Sequence, residues 1–165
     1  MASTPVAQVI TPNDSDQQPH YPTRSIFLAG PTETRWREGF IAALKQRLTA
    51  VNITIFDPFQ PRWDSTWTED VDSDLRFAAQ VNWELTHQDK ATTVAVFFHA
   101  DSKAPVSLLE LGLCARSGKA VVGCELGYWK RGNVQAVCRR YAVPLADSLD
   151  GLADLAAEKL RESKA

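Results

Sequence analysis

The sequence predicts an α/β protein, a Rossmann- or flavodoxin-like three-layer sandwich with a parallel sheet of four or five strands. Three observations predict it. Short β-branched, apolar runs alternate four or five times with stretches of helical spacing, the rhythm of right-handed βαβ crossovers. One run, Thr93-Val94-Ala95-Val96-Phe97-Phe98, is apolar nearly throughout, as a strand covered on both faces should be. The 165 residues, 44% hydrophobic and 23% charged, suit one domain with a real core.

Met1 to Thr23, with Pro5, Pro12, Pro19 and Pro22, reads as a flexible tail, because prolines and polar residues break any periodicity. Within it only Val6 to Ile10 has the makings of a short edge strand. The domain, residues 24–165, opens on the strand Ser25–Ala29, ended by Gly30-Pro31. Trp36 to Leu48 follows as a helix, with Phe40, Ile41, Leu44 and Leu48 at helical spacing. Ile53–Phe56 is the second strand, stopped by Asp57-Pro58, and Pro58 to Asp70 reads as a loop over the sheet edge. Asp74 to Gln88 reads as a helix with Leu75, Ala78, Ala79, Asn82 and Leu85 facing inward. After the Thr93–Phe98 strand come a loop, His99 to Pro105, and a helix, Ser107 to Arg116, ended near Gly118. Ala120–Gly123 is the fourth strand, Gly132–Tyr141 a helix, Ala142–Leu145 a short fifth strand and Leu149–Leu160 a closing helix. In such sheets ligands bind beyond the carboxyl ends of the strands, here the loops at Gly30, Asp57, His99 and Cys124.

Several function classes are disfavoured by composition. A net charge of −2, from 18 basic and 20 acidic residues, gives no electrostatic footprint for a nucleic-acid polymer. No stretch approaches the roughly 20 apolar residues of a membrane span, and no secretory signal is visible, so a soluble, cytoplasmic protein is expected. Cys114, Cys124 and Cys138 are too widely spaced for a zinc cage or a disulfide framework, and read as reduced, mostly buried thiols. His20, His87 and His99 do not cluster with acids or cysteines, so no metal site is expected. Gly30-Pro31-Thr32 is not GxGxxG and no GxxxxGK[ST] loop occurs, which disfavours dinucleotide and phosphate-loop chemistry.

The most informative segment is Pro105-Val106-Ser107-Leu108-Leu109-Glu110-Leu111-Gly112. On spacing alone Ser107 and Glu110, three apart, fit a capping box. They also follow the most apolar strand, at the edge where ligands bind. Glu110 has Leu108, Leu109 and Leu111 around it, and a helix terminus nearby favours its ionised form. A positioned carboxylate in a partly dry setting is what attack on an anomeric carbon needs.

Phe27-Leu28-Ala29-Gly30-Pro31, Trp83-Glu84-Leu85 and Ser107-Leu108-Leu109-Glu110-Leu111-Gly112 resemble, in order and spacing, the nucleoside 2-deoxyribosyltransferase superfamily. Gly118 to Val122 and Gly132-Asn133-Val134 fit its short, stand-alone members, and the resemblance runs from about Ser25 to Tyr141. It implies cleavage of the N-glycosidic bond of 2′-deoxynucleosides by double displacement, without a cofactor. By position, Glu110 matches the nucleophile and Glu84 an acidic residue that moves a proton to the departing base or orients sugar hydroxyls. Gly30 and Pro31 match a loop closing over the substrate, where a missing side chain permits close approach. Asp101 matches an aspartate that contacts the base, or is an ordinary solvated loop residue. Asn133 matches a late asparagine that a neighbouring subunit lends to the sugar, or simply caps a helix. Assembly as a homodimer, or a higher homo-oligomer, is likewise implied.

Other residues admit two readings. Asp57 stands at the site edge, or only makes an Asp-Pro turn. Trp63 and Trp67 offer faces for a nucleobase, or cover the sheet edge. Arg35, Arg37 and Arg62 offer a grip for a 5′-phosphate, or are solvated surface cations. The alternatives to a transferase are a hydrolase acting on nucleoside 5′-monophosphates and a non-catalytic nucleotide-binding module.

Overall fold

The computed structural model describes residues 7–14 and 24–163. Among them six strands and five helices alternate: β1 (Ala7–Ile10), β2 (Ser25–Ala29), α1 (Trp36–Arg47), β3 (Ile53–Phe56), α2 (Leu75–Lys90), β4 (Thr93–Phe98), α3 (Pro105–Cys114), β5 (Ala120–Cys124), α4 (Arg131–Tyr141), β6 (Leu145–Ala146) and α5 (Leu149–Glu162). The strands form one parallel sheet in the order β1-β3-β2-β4-β5-β6. The Rossmann- or flavodoxin-like sandwich is therefore the fold, with one strand more than expected.

The extra strand is β1, inside the segment read as a tail. It pairs Ala7 to Ile10 with Ile53 to Phe56. Only Ile10 is fully buried, so this edge strand shows none of the continuous apolar character that marks β2, β3 and β4, each buried along its whole length. Val6 and the prolines Pro5, Pro19 and Pro22 lie outside the described residues.

Two apolar layers cover the sheet. On one face α1 and α5 bring Phe40, Leu44, Leu152 and Leu160 against Ile26, Leu28, Ile55 and Phe97. On the other, α2, α3 and α4 bring Trp83, Leu111, Cys114, Val134 and Cys138 against Phe27, Val94, Val96 and Phe98. Cys114, Cys124 and Cys138 are free and buried. No helix among the described residues is long and apolar enough to cross a membrane.

Two helices depart from the expected reading. Leu75 is 84% exposed, and Ala79, Asn82 and Leu85 also face outward. The buried residues of α2 are Gln80, His87 and Gln88 instead, so of the five positions chosen from the sequence all but the half-buried Ala78 lie on the outside. On α3 the helix starts at Pro105, whose fixed φ suits the first helical position, with Ala104 before it at φ 43° and no side-chain cap. Ser107 therefore lies inside the first turn and no capping box forms. The helix gives way to a 3-10 turn over Ala115–Ser117, and Gly118 at φ 75° ends it in a conformation that costs glycine little.

Candidate active site

The strand order reverses beside β2, whose neighbours are β3 and β4. In open α/β sheets this is where a crevice opens. A cavity of about 580 Å³ lies there, within the range of small-molecule sites. Three strand ends build it: Gly30 to Glu33 after β2, Pro58 to Pro61 and Trp63 after β3, and Ala104 to Ser107 after β4. From α1 comes Arg37, from α2 Phe77, Gln80, Val81 and Glu84, and from α3 Glu110.

Glu110 is 8% exposed, and its carboxyl takes no hydrogen bond from another described residue. Burial, reinforced by the neighbouring Glu84 charge and opposed by Arg37, pushes this carboxyl up to about 8. Glu84 is also raised, chiefly by burial, while a hydrogen bond from Gln80 and the charge of Arg37 pull the other way. Two carboxyls sharing one dry cavity cannot both ionise cheaply, and they titrate as a pair. The site thus holds a proton near neutral pH.

A chain of amides positions Glu84. Gln80 donates to Glu84 Oε1 and to the Pro58 carbonyl, each at 2.8 Å, and accepts from Gln60 at 3.3 Å. Gln88, one turn beyond Glu84, donates to the Glu110 main-chain oxygen. These glutamines escaped the sequence reading. Their signal was a polar stripe, Gln80, Glu84 and Gln88, at a spacing of four on a helix whose other faces looked more apolar.

Of the residues expected at the site, Glu110, Glu84, Gly30, Pro31 and Ser107 all line the cavity. Ser107 is buried on α3. The space beside Gly30 belongs to Trp36, because a Cβ there would lie 2.4 Å from Trp36 Cζ2; the missing side chain serves the indole. Asp57 turns away from the cavity, accepting from the Phe59 N–H at 3.0 Å and approaching Arg37 Nε at 3.3 Å. Asp101 is exposed and outside the lining. Asn133 is exposed too, the third residue of α4 rather than its cap. His99 and the Cys124 loop meet each other through Glu125 instead of bordering the cavity.

The loop after β3 carries an aromatic wall. Trp63 stacks on Trp67, with ring centroids 4.9 Å apart at 17°, and meets the edge of Phe77 at 5.6 Å. Arg76 covers the Trp67 ring at 5.1 Å. Asp74 caps α2 and accepts from the Thr68 N–H at 2.9 Å, which ties this loop to the helix; Arg76 holds its carboxyl below the usual range. Of the three arginines, Arg35 pairs with Glu38 at the surface and Arg62 is exposed, whereas Arg37 is buried. No group of three or more histidines, cysteines or acids that could hold a metal exists among the described residues.

Fold and cavity together define an α/β protein with a carboxyl-lined cavity at the switch in strand order. The family described as nucleoside 2-deoxyribosyltransferase like matches residues 23–128, and the chain belongs to it. No curated protein matches the chain.

Proposed function

We propose that this protein cleaves the N-glycosidic bond of deoxynucleosides through a covalent glycosyl-Glu110 intermediate and transfers the sugar to a second base. The observation that carries the reading is the Glu110 carboxyl, nearly buried, without a hydrogen-bond partner among the described residues, and lining a cavity shared with Glu84. In the form of the pair whose one proton sits on Glu84, the ionised Glu110 attacks C1′ as the bond to the base breaks, and Glu84 gives that proton to the departing base. An incoming base then attacks C1′ from the opposite side, loses its proton to Glu84 and frees Glu110. Two inversions at one carbon retain configuration. Trp63 and Phe77, set edge to face in the lining, provide aromatic surface that a nucleobase favours.

A nucleoside suits this cavity better than its 5′-monophosphate. The described lining offers one cation, Arg37, against the carboxyls of Glu33, Glu69, Glu84 and Glu110, and Arg37 already donates from each terminal nitrogen to a main-chain carbonyl. A phosphate dianion would meet one cation among four carboxyls.

The outer face of α3 supports assembly with a second copy. Val106, Leu109 and Leu113 recur there at helical spacing and are more than half exposed, an apolar stripe that solvent disfavours. Three unpaired, buried thiols suit a cytoplasmic setting.

Deoxynucleosides offered with and without a second free base test the function. Base exchange, with a sugar adduct on Glu110 by mass spectrometry, is the expected result. Release of free sugar at the same rate with or without acceptor would make the protein a hydrolase. Neither product nor adduct across a broad panel would overturn the enzymatic reading.

A further inference from the structure

Arg37, the second residue of α1, is 6% exposed. Its Nη1 donates to the Pro31 carbonyl and its Nη2 to the Gly30 carbonyl, both at 2.9 Å. Its Nε lies 3.3 Å from Asp57 Oδ1, yet the N–H is not aligned for a hydrogen bond, so that contact is ionic. The guanidinium packs 4.8 Å from the Trp36 ring centroid, and the same indole donates to the Pro31 carbonyl at 3.0 Å. One planar cation therefore fixes the loop after β2 and the end of β3 together. Lysine, with a single point of charge, cannot match that fork.

Arg37 is also the sole cation among the described residues lining the cavity. Its own pKa is lowered by burial, and the charges of Asp57, Glu110 and Glu84 oppose that; a guanidinium keeps its proton regardless. Glu110 is faced by Glu84 from α2 and Arg37 from α1, with Glu33 and Glu69 elsewhere along the cavity wall. On its own helix stands Cys114, whose thiol burial pushes up to about 12 and so keeps neutral.

We infer that Arg37 is a positioning residue, which clamps the Gly30–Pro31 loop to the end of β3 and supplies the fixed positive charge that lets one of the two cavity carboxyls ionise. Asp57 tempers that charge from the side away from the cavity. The role deepens the proposed chemistry of Glu110, since a permanently protonated Glu110 cannot attack C1′. The clamp and its field nevertheless exist whether or not a nucleoside is the ligand.

The test follows the side-chain carboxyl carbon of Glu110 by NMR titration of the full chain labelled with ¹³C-glutamate. Arg37→Met should raise the Glu110 midpoint by about one pH unit or more. Asp57→Asn, which removes a negative charge beside Arg37, should lower it. Arg37→Lys keeps the charge and loses the fork, so its midpoint should stay near that of the wild type while its Tm falls. Opposite shifts are the signature, because a merely structural role would not give the two variants opposite signs. An unmoved midpoint in folded Arg37→Met, or shifts of one sign in both variants, would overturn the inference. Should Arg37→Met fail to fold, an unmoved or raised midpoint in Asp57→Asn overturns it alone. Failure of wild-type protein to cleave any nucleoside, with these shifts intact, would sink the proposed function and leave the Arg37 role standing.

Discussion

Gln88 on α2 donates its side-chain amide to the main-chain oxygen of Glu110 on α3 across 3.0 Å. The bond is buried and joins residues 22 apart in sequence. Glu84 sits one turn earlier on the same helix, so Gln88 fixes the helix that carries one carboxyl against the helix that carries the other. The spacing of the two acids is thus a property of the fold, set before any ligand arrives.

Glu84→Gln keeps the shape of that second acid and removes its charge and proton. Because Glu84 helps raise the Glu110 carboxyl, the Glu110 midpoint should fall below about 8. Turnover of ordinary nucleosides should fall by roughly 10²–10⁴-fold. A substrate whose leaving base needs no protonation should be spared most of that loss. Equal losses for both substrates would take the proton donor's role away from Glu84.

Glu110→Gln should abolish turnover and make the fold more stable. The native state raises this carboxyl from the ordinary range to about 8, so it binds the proton more tightly than the unfolded chain does. The stability tied to that proton is whole below the unfolded pKa and is lost as pH rises through the folded one. The glutamine variant has no such dependence. Its Tm advantage should grow from about pH 5 to pH 8 and then level, at about 2–4 °C per kcal/mol. Thermal scans giving a constant difference across that interval would contradict burial of an ionisable Glu110.

Gly30→Ala introduces a methyl where Trp36 Cζ2 would be 2.4 Å away. The indole must move, which strains its bond to the Pro31 carbonyl, and overpacking of this kind costs about 1–3 kcal/mol. Urea unfolding should register that loss. In a Trp36→Phe background the penalty should shrink, a non-additivity expected of residues in contact. Additive losses would show that the two do not compete for space.

Leu109→Glu with Leu113→Glu places charge on the exposed stripe of α3, away from the cavity lining. Wild-type protein should sediment as a dimer or larger assembly and the double variant as a monomer. A monomeric wild type would remove the second copy from the proposal.

Sequence patterning revealed the layers of the sandwich because buried parallel strands write themselves as unbroken apolar runs, and β2, β3 and β4 do so. It marked β1 only faintly, as the makings of an edge strand within a tail, since a half-exposed strand of four residues has no such run. It reversed the faces of α2 because a helix wall facing a cavity is polar within and can be apolar without; Leu75 and Leu85 look outward while Gln80 and Gln88 look in. The place of Glu110 in the cavity wall was legible from its position after the most apolar strand. Arg37 was not: nothing in Trp36-Arg37 distinguishes a buried guanidinium from a surface one, since burial is decided by Gly30, Pro31 and Asp57, which only the fold brings near. Asp101 and Asn133, placed by motif position, lie outside the cavity of their own chain, which for Asn133 is the place expected of a residue lent to a neighbouring subunit.

The closing helix α5 has a practical meaning. Leu152, Ala156 and Leu160 fill the layer beneath β2, β4 and β5, yet they lie beyond the stretch, 23–128, that carries the family signature. A fragment trimmed to that recognisable portion would keep α1 but lose α5 from the same face of the sheet, along with α4 and β6, and without β1 would leave β3 as an unprotected template for strand addition. The part of this chain that announces its ancestry is not the part that can stand alone.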